Sequence, residues 1–225
     1  MSAPPLEVTL APEMGGRVKL GIVVLEGVTV RDADERLAAE IEAYGRDVRE
    51  RYGQAKSAEV PGVEEARTLY KALGMDPTKT RPSNESLLRR VLKGEALYRV
   101  NTLVDALNLC SLRYQLPFGL YDLDQVVPPV VLRRGTAGEA YEGIRKAEVH
   151  LEGRPVLVDA HGPFGNPTSD SARTMVTPRT RRALVTVYAP GGYAPGRLEQ
   201  VLDGTEATLT RACGGARVLR QFLPA

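Results

Sequence analysis

The chain has 225 residues, of which 43% are hydrophobic and 26% are charged, and its formal net charge is +2. These values are typical of a folded globular protein and exclude a chain that is disordered throughout. The apolar runs are too short to cross a bilayer, and the N-terminus lacks the basic start and apolar core of a signal peptide. We therefore expect a cytoplasmic protein with no membrane partner.

The first half of the chain predicts one strand and two helices behind a short mobile tail at residues 2–5. Alternating apolar residues predict a strand within residues 17–30. Apolar side chains then recur at helical spacing from Leu37 to Tyr52, which predicts an amphipathic helix with Asp32 as its N-cap and Gly53 at its end. A second helix is expected over residues 61–73.

Two further helices are predicted in the middle of the chain. The third covers residues 83–92, with Ser83 or Asn84 as its cap. The fourth begins at Asn101 and ends at residues 116–117. Asn108 lies seven residues after Asn101 and so faces the same way on a helix. We expect Asn101 to be the cap and Asn108 to face a pocket, where it can donate to a carbonyl group.

From residue 119 onward the pattern predicts mainly strands. Runs rich in β-branched residues predict strands at 130–133, 147–151, 155–159 and 183–188. Thr177 with Pro178 predicts a brief helical turn, and residues 197–212 predict a final helix. Because helices and strands are segregated, the predicted fold class is α+β, with mixed or antiparallel sheets packed against helices.

The cysteines and histidines give little support for a metal or redox site. Cys110 and Cys213 are far apart, and only His150 and His161 could join them as ligands. Cys110 falls on the apolar side of the fourth predicted helix, where a buried thiol is common. We expect no metal and no cofactor.

Paired acids and basic clusters each allow two interpretations. Asp122 and Asp124 could bind a cation in a strand, but a turn in which they accept backbone N–H bonds is favoured because no third acid lies nearby. One basic cluster contains Arg81, Arg89, Arg90, Lys93 and Arg99, and a second contains Arg173, Arg179, Arg181 and Arg182. These clusters suit phosphate groups, although a solvated helix face explains them equally well. Arg81 before Ser83 could likewise mark an anion site or a simple cap.

The segment at 159–171 is the richest in small polar groups. It follows a predicted strand and offers His161, Asn166, Thr168, Ser169 and Asp170, together with glycines that let a ligand approach the backbone. A surface loop whose polar side chains satisfy local turns explains the same residues.

Four motifs resemble the B-three/B-four tRNA-binding domain, the editing module of the bacterial phenylalanyl-tRNA synthetase β subunit, which also occurs as a free-standing protein. They are Arg-Pro-Ser-Asn-Glu-Ser-Leu-Leu-Arg-Arg at 81–90, Val-Asp-Ala-Leu-Asn at 104–108, Leu-Pro-Phe-Gly-Leu-Tyr-Asp at 116–122, and Arg-Thr-Met-Val-Thr-Pro-Arg-Thr at 173–180. The resemblance covers residues 79–190. We expect residues 1–225 to form a single domain, with the strand and helices of 1–78 packed on that region.

The resemblance implies a trans-editing deacylase that hydrolyses the ester of a mischarged tRNA, with the tRNA 3′ end in a pocket. The editing histidine of the synthetase falls on Gly119 here and a pocket-lining glutamate falls near Thr186, so a pocket of different size and polarity is expected. Oxyanion and water roles are assigned to backbone N–H groups near Gly165, assisted by the catalytic candidates Asn108, His161 and Ser169. The substrate-binding candidates are Gly119, Tyr121, Gly165, Asn166, Thr168, Asp170 and Thr186, and the RNA-binding candidates are Arg81, Arg89, Arg90, Arg99 and Arg173.

Two alternatives remain from other functional classes. A non-catalytic tRNA- or RNA-binding module would use the same pocket and basic residues without turnover, and a small-molecule enzyme could share only the fold. DNA is not an expected partner. The sequence leaves the amino acid, the tRNA and the oligomeric state open.

Overall fold

The computed structural model describes residues 6–145 and 147–224 and has the predicted α+β class. The predicted tail at residues 2–5 lies outside the described residues. None of the helices in the described ranges is both long and apolar enough to cross a bilayer.

A four-stranded antiparallel sheet forms the middle layer. Its strand order is β10-β2-β9-β3, in which β2 spans Val18–Glu26, β3 spans Phe118–Asp122, β9 spans Arg182–Pro190 and β10 spans Ala216–Leu223. The strand β10 was not predicted, because its residues are mostly half-exposed and follow a glycine pair without clear alternation. The strand β2 pairs along its whole length with β9 on one side and pairs with β10 on the other. The pair β2 and β10 brings strands from opposite ends of the chain together in one sheet.

A second four-stranded sheet has the order β1-β4-β7-β8, with strands at Val8–Leu10, Val130–Arg134, Pro155–Asp159 and Gly162–Gly165. The pair β1 and β4 is parallel and the other pairs are antiparallel, so this sheet is mixed. A small hairpin is formed by β5 (Ala140–Glu142) and β6 (Glu148–His150).

Strand alternation divides the core between the two faces of the antiparallel sheet. Leu20 and Ile22 of β2 face the mixed sheet, whereas Val23 and Leu25 of the same strand face the helices. Both sets are fully buried, as expected for a strand covered on both sides. The arrangement is therefore mixed sheet, antiparallel sheet and most of the helices in successive layers. The helical residues Leu69 and Tyr70 are an exception, since they pack in the core on the mixed-sheet side.

The described residues contain five α-helices. They are α1 (Glu35–Tyr52), α2 (Val63–Ala72), α3 (Ser83–Leu92), α4 (Thr102–Tyr114) and α5 (Pro195–Cys213). The predicted Asn101 cap is confirmed, since its Oδ1 accepts the N–H groups of Leu103 and Val104. The Asp32 cap was wrong: Asp34 accepts the N–H of Leu37 instead, which places the start of α1 two residues later.

Two other local predictions were also wrong. Neither Ser83 nor Asn84 caps α3, because the helix begins directly after Pro82 without a side-chain cap. The predicted helical turn at Thr177 is a plain turn, in which the Thr177 N–H bonds the Thr180 hydroxyl, and the nearest helical turn is at Ala172–Thr174. Asp122 does adopt the favoured turn role, since it accepts the Asp124 N–H at 3.1 Å and the Thr180 hydroxyl at 2.7 Å.

Candidate functional site

A cavity of about 320 Å³ opens between α4, β3 and the loop at 166–170. Its walls are mainly apolar, formed by Leu87, Val100, Val104, Leu107, Phe118, Leu120, Ile144, Pro167, Met175 and Val176. Its polar lining consists of Ser83, Asn108, Ser111, Arg145, Asn166, Thr168, Ser169 and Asp170. A concave apolar site with a few convergent polar groups is the usual form of a ligand pocket.

Asn108 reaches the cavity because the Asn101 cap fixes where α4 begins. Its neighbours Leu107 and Leu109 are buried, and Asn108 itself is half-buried with its side chain on the cavity wall. Within residues 6–145 and 147–224 its amide makes no hydrogen bond to another protein group. A half-buried amide without an internal partner keeps its two donors and its acceptor for a ligand.

The loop at 166–170 is held rigidly by its own side chains. The Asn166 Oδ1 accepts the backbone N–H groups of Thr168 and Ser169, both at 2.8 Å. The carbonyl of Pro167 accepts the Tyr70 hydroxyl at 3.0 Å and the Ser83 hydroxyl at 3.1 Å. The N–H of Asn166 itself bonds the Ser169 carbonyl. These backbone donors are therefore already used, which argues against the expected oxyanion role for N–H groups near Gly165.

Four of the predicted substrate-binding residues meet elsewhere, around the buried hydroxyl of Tyr121. A Cβ atom at Gly119 would lie 2.2 Å from that oxygen and 2.6 Å from the Thr186 Oγ1, and a Cβ at Gly165 would lie 2.2 Å from the same oxygen. Tyr121 and Thr186 are at most 1% exposed. The Tyr121 side chain therefore fills the space between the two sheets that a side chain larger than glycine at position 119 or 165 would occupy.

The tyrosines around this point form one buried cluster. Tyr121 and Tyr188 have their hydroxyl oxygens 3.4 Å apart, and the Tyr141 hydroxyl donates to the Ser169 carbonyl at 2.5 Å. Burial raises the pKa of each of these three phenols above its ordinary value, with the Asp170 carboxylate adding to the rise. The three phenols therefore stay neutral, and the cluster supports the loop at 166–170 through the bond from Tyr141 to Ser169.

His161 lies outside the cavity. It is exposed in the turn between β7 and β8, where its N–H bonds the Asp159 carboxylate at 2.9 Å. The turn directs it to solvent, so the structure does not bring it together with Asn108 and Ser169, and we do not assign it a role in the cavity.

The five predicted RNA-binding arginines fall into two groups. Arg90 bonds the Ala96 carbonyl and Glu95, Arg99 pairs with Glu42, and Arg173 pairs with Asp159. These three are held by intramolecular contacts. Arg81 and Arg89 make no hydrogen bond or ion pair within the part of the chain that the structure describes, and both line a separate cleft beside α3.

We expect Arg173→Ala to unfold more readily than the wild type. Arg173 donates two bonds to Asp159, at 2.9 and 3.1 Å, and the Asp159 side chain is fully buried. Removing the guanidinium leaves a buried carboxylate without its charge partner, which costs about 3 kcal/mol. Urea denaturation measures the free energy of unfolding. The control is Arg36→Ala, an exposed arginine whose side chain makes no hydrogen bond or ion pair among the described residues. An unchanged free energy of unfolding would rule out this structural role.

Sequence reasoning missed Arg145 at the cavity rim and the apolar wall residues Phe118, Leu120 and Met175. Phe118 and Leu120 flank Gly119 in β3, so the alternation of a strand places them on the opposite face from Gly119. This periodicity was visible in the sequence. Arg145 has a positive φ of 53° in the turn after β5, and no sequence signal identified it.

Neither cysteine is exposed to a ligand. Cys110 and Cys213 are buried, as predicted for Cys110, and burial raises the pKa of the Cys110 thiol to about 11. Among the described residues no three His, Cys, Asp or Glu side chains converge as metal ligands do.

A model of the B3/4 domain matches residues 65–192 of the chain. This chain belongs to the B3/4 domain family. Every residue that lines the cavity falls within the matched span, so the cavity is built by the B3/4 domain itself, while β2, β10, α1 and α5 lie outside that span.

The fold of this chain is similar to that of a solved structure. An N-terminal fragment of the phenylalanyl-tRNA synthetase β subunit from Pyrococcus horikoshii superposes with a TM-score of 0.51 and 14% sequence identity. The superposition covers 100% of this chain and 56% of that fragment, so the chain spans little more than half of the fragment's length. The likeness shows the fold. No curated protein sequence matches the chain.

Proposed function

We propose that this B3/4 domain protein is an aminoacyl-tRNA deacylase, which hydrolyses the ester of a mischarged tRNA in the cavity between α4 and the loop at 166–170. The observation that supports the proposal is the position of Asn108, whose amide faces an apolar cavity and makes no hydrogen bond to the described protein residues. The family and the fold of the synthetase fragment add support for tRNA as the partner.

The chemistry requires a positioned water and donors for the developing oxyanion. Aminoacyl esters are activated, so a nucleophilic side chain is not needed. In our proposal the Asn108 Nδ2 donates to the ester carbonyl, and Ser169 on the opposite wall orients the attacking water. The Cys110 thiol cannot act as a nucleophile, because it is fully buried and its pKa is raised to about 11.

The lining of the cavity favours an apolar acyl group. Ten of the lining side chains are apolar, and Asp170 and Arg145 are the ionisable ones among the described lining residues. Transferring a charged side chain against such walls is unfavourable. Arg145 is exposed at the rim, where its guanidinium can pair with a phosphate of the terminal nucleotides.

A panel of mischarged tRNAs tests the proposal. We expect the protein to release apolar amino acids, such as isoleucine, methionine or phenylalanine, faster than aspartate or lysine. Release of labelled amino acid at limiting enzyme measures kcat/KM for each, and uncatalysed hydrolysis of the same tRNA provides the baseline. Hydrolysis at the baseline rate for every member of the panel would remove the deacylase assignment.

One observation favours the alternative of a non-catalytic tRNA-binding module. The positions that carry a histidine and a glutamate in the editing module hold Gly119 and Thr186 here, and both face the Tyr121 hydroxyl rather than the cavity. The cavity is therefore without a general base other than Asp170 among its described lining residues. Retained affinity for tRNA with no ester cleavage would favour this binder.

A further inference from the structure

The second cavity of interest is a basic cleft of about 460 Å³ on the other side of α3. It is lined by five cationic side chains and one carboxylate, namely Lys56, Arg67, Arg81, Arg89, Lys93 and Glu85. The apolar and small residues around them are Ala55, Ser57, Ala58, Pro77, Thr78 and Leu92. A concave surface with such an excess of one charge concentrates counter-ions of the opposite sign.

The single carboxylate does not neutralise the cleft. Glu85 is 1% exposed, and it accepts two bonds from Arg67, at 2.7 and 2.9 Å, and one from the Ser57 hydroxyl at 2.8 Å. Burial raises the pKa of Glu85, but the hydrogen bonds from Arg67 and Ser57 lower it by more. The pKa of Glu85 therefore lies below its ordinary value. Glu85 is therefore a buried anchor that holds Arg67 at the cleft wall.

The remaining cations have no such partner. Arg81, Arg89, Lys56 and Lys93 make no side-chain hydrogen bond or ion pair with the residues at 6–145 and 147–224. Arg89 is half-buried, whereas Arg81 and the two lysines are exposed. Guanidinium groups that converge on a cleft without carboxylate partners are suited to bidentate contacts with phosphate oxygens.

The cleft and the Asn108 cavity lie on opposite sides of one helix. Ser83 and Leu87 of α3 line the cavity, whereas Glu85 and Arg89 of the same helix line the cleft. An α-helix with its side chains is about 10–12 Å across. A nucleic acid whose end lies in the cavity needs to cross only this width to reach the cleft. The phosphates that precede its end can therefore contact the cleft.

We propose that this cleft binds the phosphodiester backbone of the RNA whose 3′ end enters the cavity. The inference rests on the proposed function, because it takes the polymer to be tRNA. It narrows the RNA-binding surface to the four cleft cations that make no side-chain pair among the described residues, Lys56, Arg81, Arg89 and Lys93. It removes Arg90, Arg99 and Arg173, which are held by intramolecular pairs as Arg67 is.

The test is equilibrium binding of an unacylated tRNA transcript over a series of salt concentrations. We expect the double variant Arg81→Gln with Arg89→Gln to bind about tenfold more weakly near 0.1 M salt, and its plot of log affinity against log salt to be shallower by about 2. Arg89→Lys should keep most of the affinity, because the charge remains. The control is the double variant Arg36→Gln with Arg154→Gln, which removes the same charge from exposed positions outside the cleft.

Equal losses in the cleft variant and the control would overturn the proposal, and so would wild-type affinity in the cleft variant. Circular dichroism and thermal unfolding confirm that each variant is folded. Because the RNA carries no amino acid, the result does not depend on catalysis. If the wild-type protein binds tRNA through the cleft but hydrolyses no ester, the deacylase proposal is rejected and the proposal of an RNA-binding cleft stands.

Discussion

Replacing Asn108 by alanine should reduce deacylation by about 100-fold, the usual effect of losing one oxyanion donor. The Asn108 amide lines the cavity and has no hydrogen-bond partner in the described part of the chain, so its removal leaves no buried group unsatisfied. We therefore expect the loss to appear in kcat, while the free energy of unfolding changes by less than about 0.5 kcal/mol. Single-turnover hydrolysis of the best mischarged tRNA measures the chemical step.

The matched control is His161→Ala, since the sequence presents His161 as an equally good catalytic candidate. It lies in the exposed turn between β7 and β8, outside the cavity, so its variant should keep the wild-type rate. Full activity of Asn108→Ala, or a comparable loss in His161→Ala, would show that the reacting group is placed elsewhere.

Gly119→Ala should be strongly destabilising, although it adds one methyl group. The new Cβ would lie 2.2 Å from the Tyr121 hydroxyl and 2.6 Å from the Thr186 Oγ1, both in the buried space between the two sheets. Overpacking of this kind costs about 3 kcal/mol because a fully buried side chain has to move. Chemical denaturation measures the loss, and Gly196→Ala, whose Cβ meets nothing within 4 Å, is the control.

A double-mutant cycle with Tyr121→Phe identifies the cause of that loss. The Tyr121 hydroxyl makes the shortest contact, so Gly119→Ala should lower the free energy of unfolding by less in the Tyr121→Phe background. We expect a coupling free energy between the two substitutions of about 1 kcal/mol or more. The ring carbon Cζ would remain at 2.8 Å, so the rescue should be partial. Gly119→Ala with wild-type stability, or additive costs in the cycle, would contradict the packing described here.

This packing also bears on the family resemblance. By the motif resemblance the editing histidine of the synthetase falls on Gly119, but a histidine there would meet the Tyr121 hydroxyl before it reached the cavity. In this chain, glycines at 119 and 165 accompany the buried side chain of Tyr121. Restoring the histidine alone should destabilise the protein rather than activate it.

The sequence predicted the parts of the fold that depend on local periodicity. The alternation in β2, the apolar repeat of α1 and the Asn101 cap all describe a single segment and its buried face, and the structure confirms each. The strand β10 was missed, because its place at the sheet edge depends on β2 at the other end of the chain. Pairing over such a distance leaves little trace in a single sequence.

The prediction of the candidate site was likewise correct for local motifs and incomplete where distant segments meet. The motifs identified Asn108 and the polar loop at 166–170, and the structure brings these into one cavity. They did not show that Gly119 and Thr186 face away from it, which depends on strand register. The sequence also treated all clustered arginines alike, whereas pairing partners such as Glu42 and Asp159 distinguish the structural arginines from those in the cleft.

The most direct test of the account is a crystal structure with a non-hydrolysable analogue, an adenosine that carries an apolar amino acid through a 3′ amide bond. We expect the acyl side chain against Leu107, Phe118 and Val176, with the amide carbonyl within hydrogen-bond distance of the Asn108 Nδ2. An analogue bound at another surface, or an empty cavity at saturating ligand, would contradict the claim that this cavity receives the aminoacyl end of tRNA.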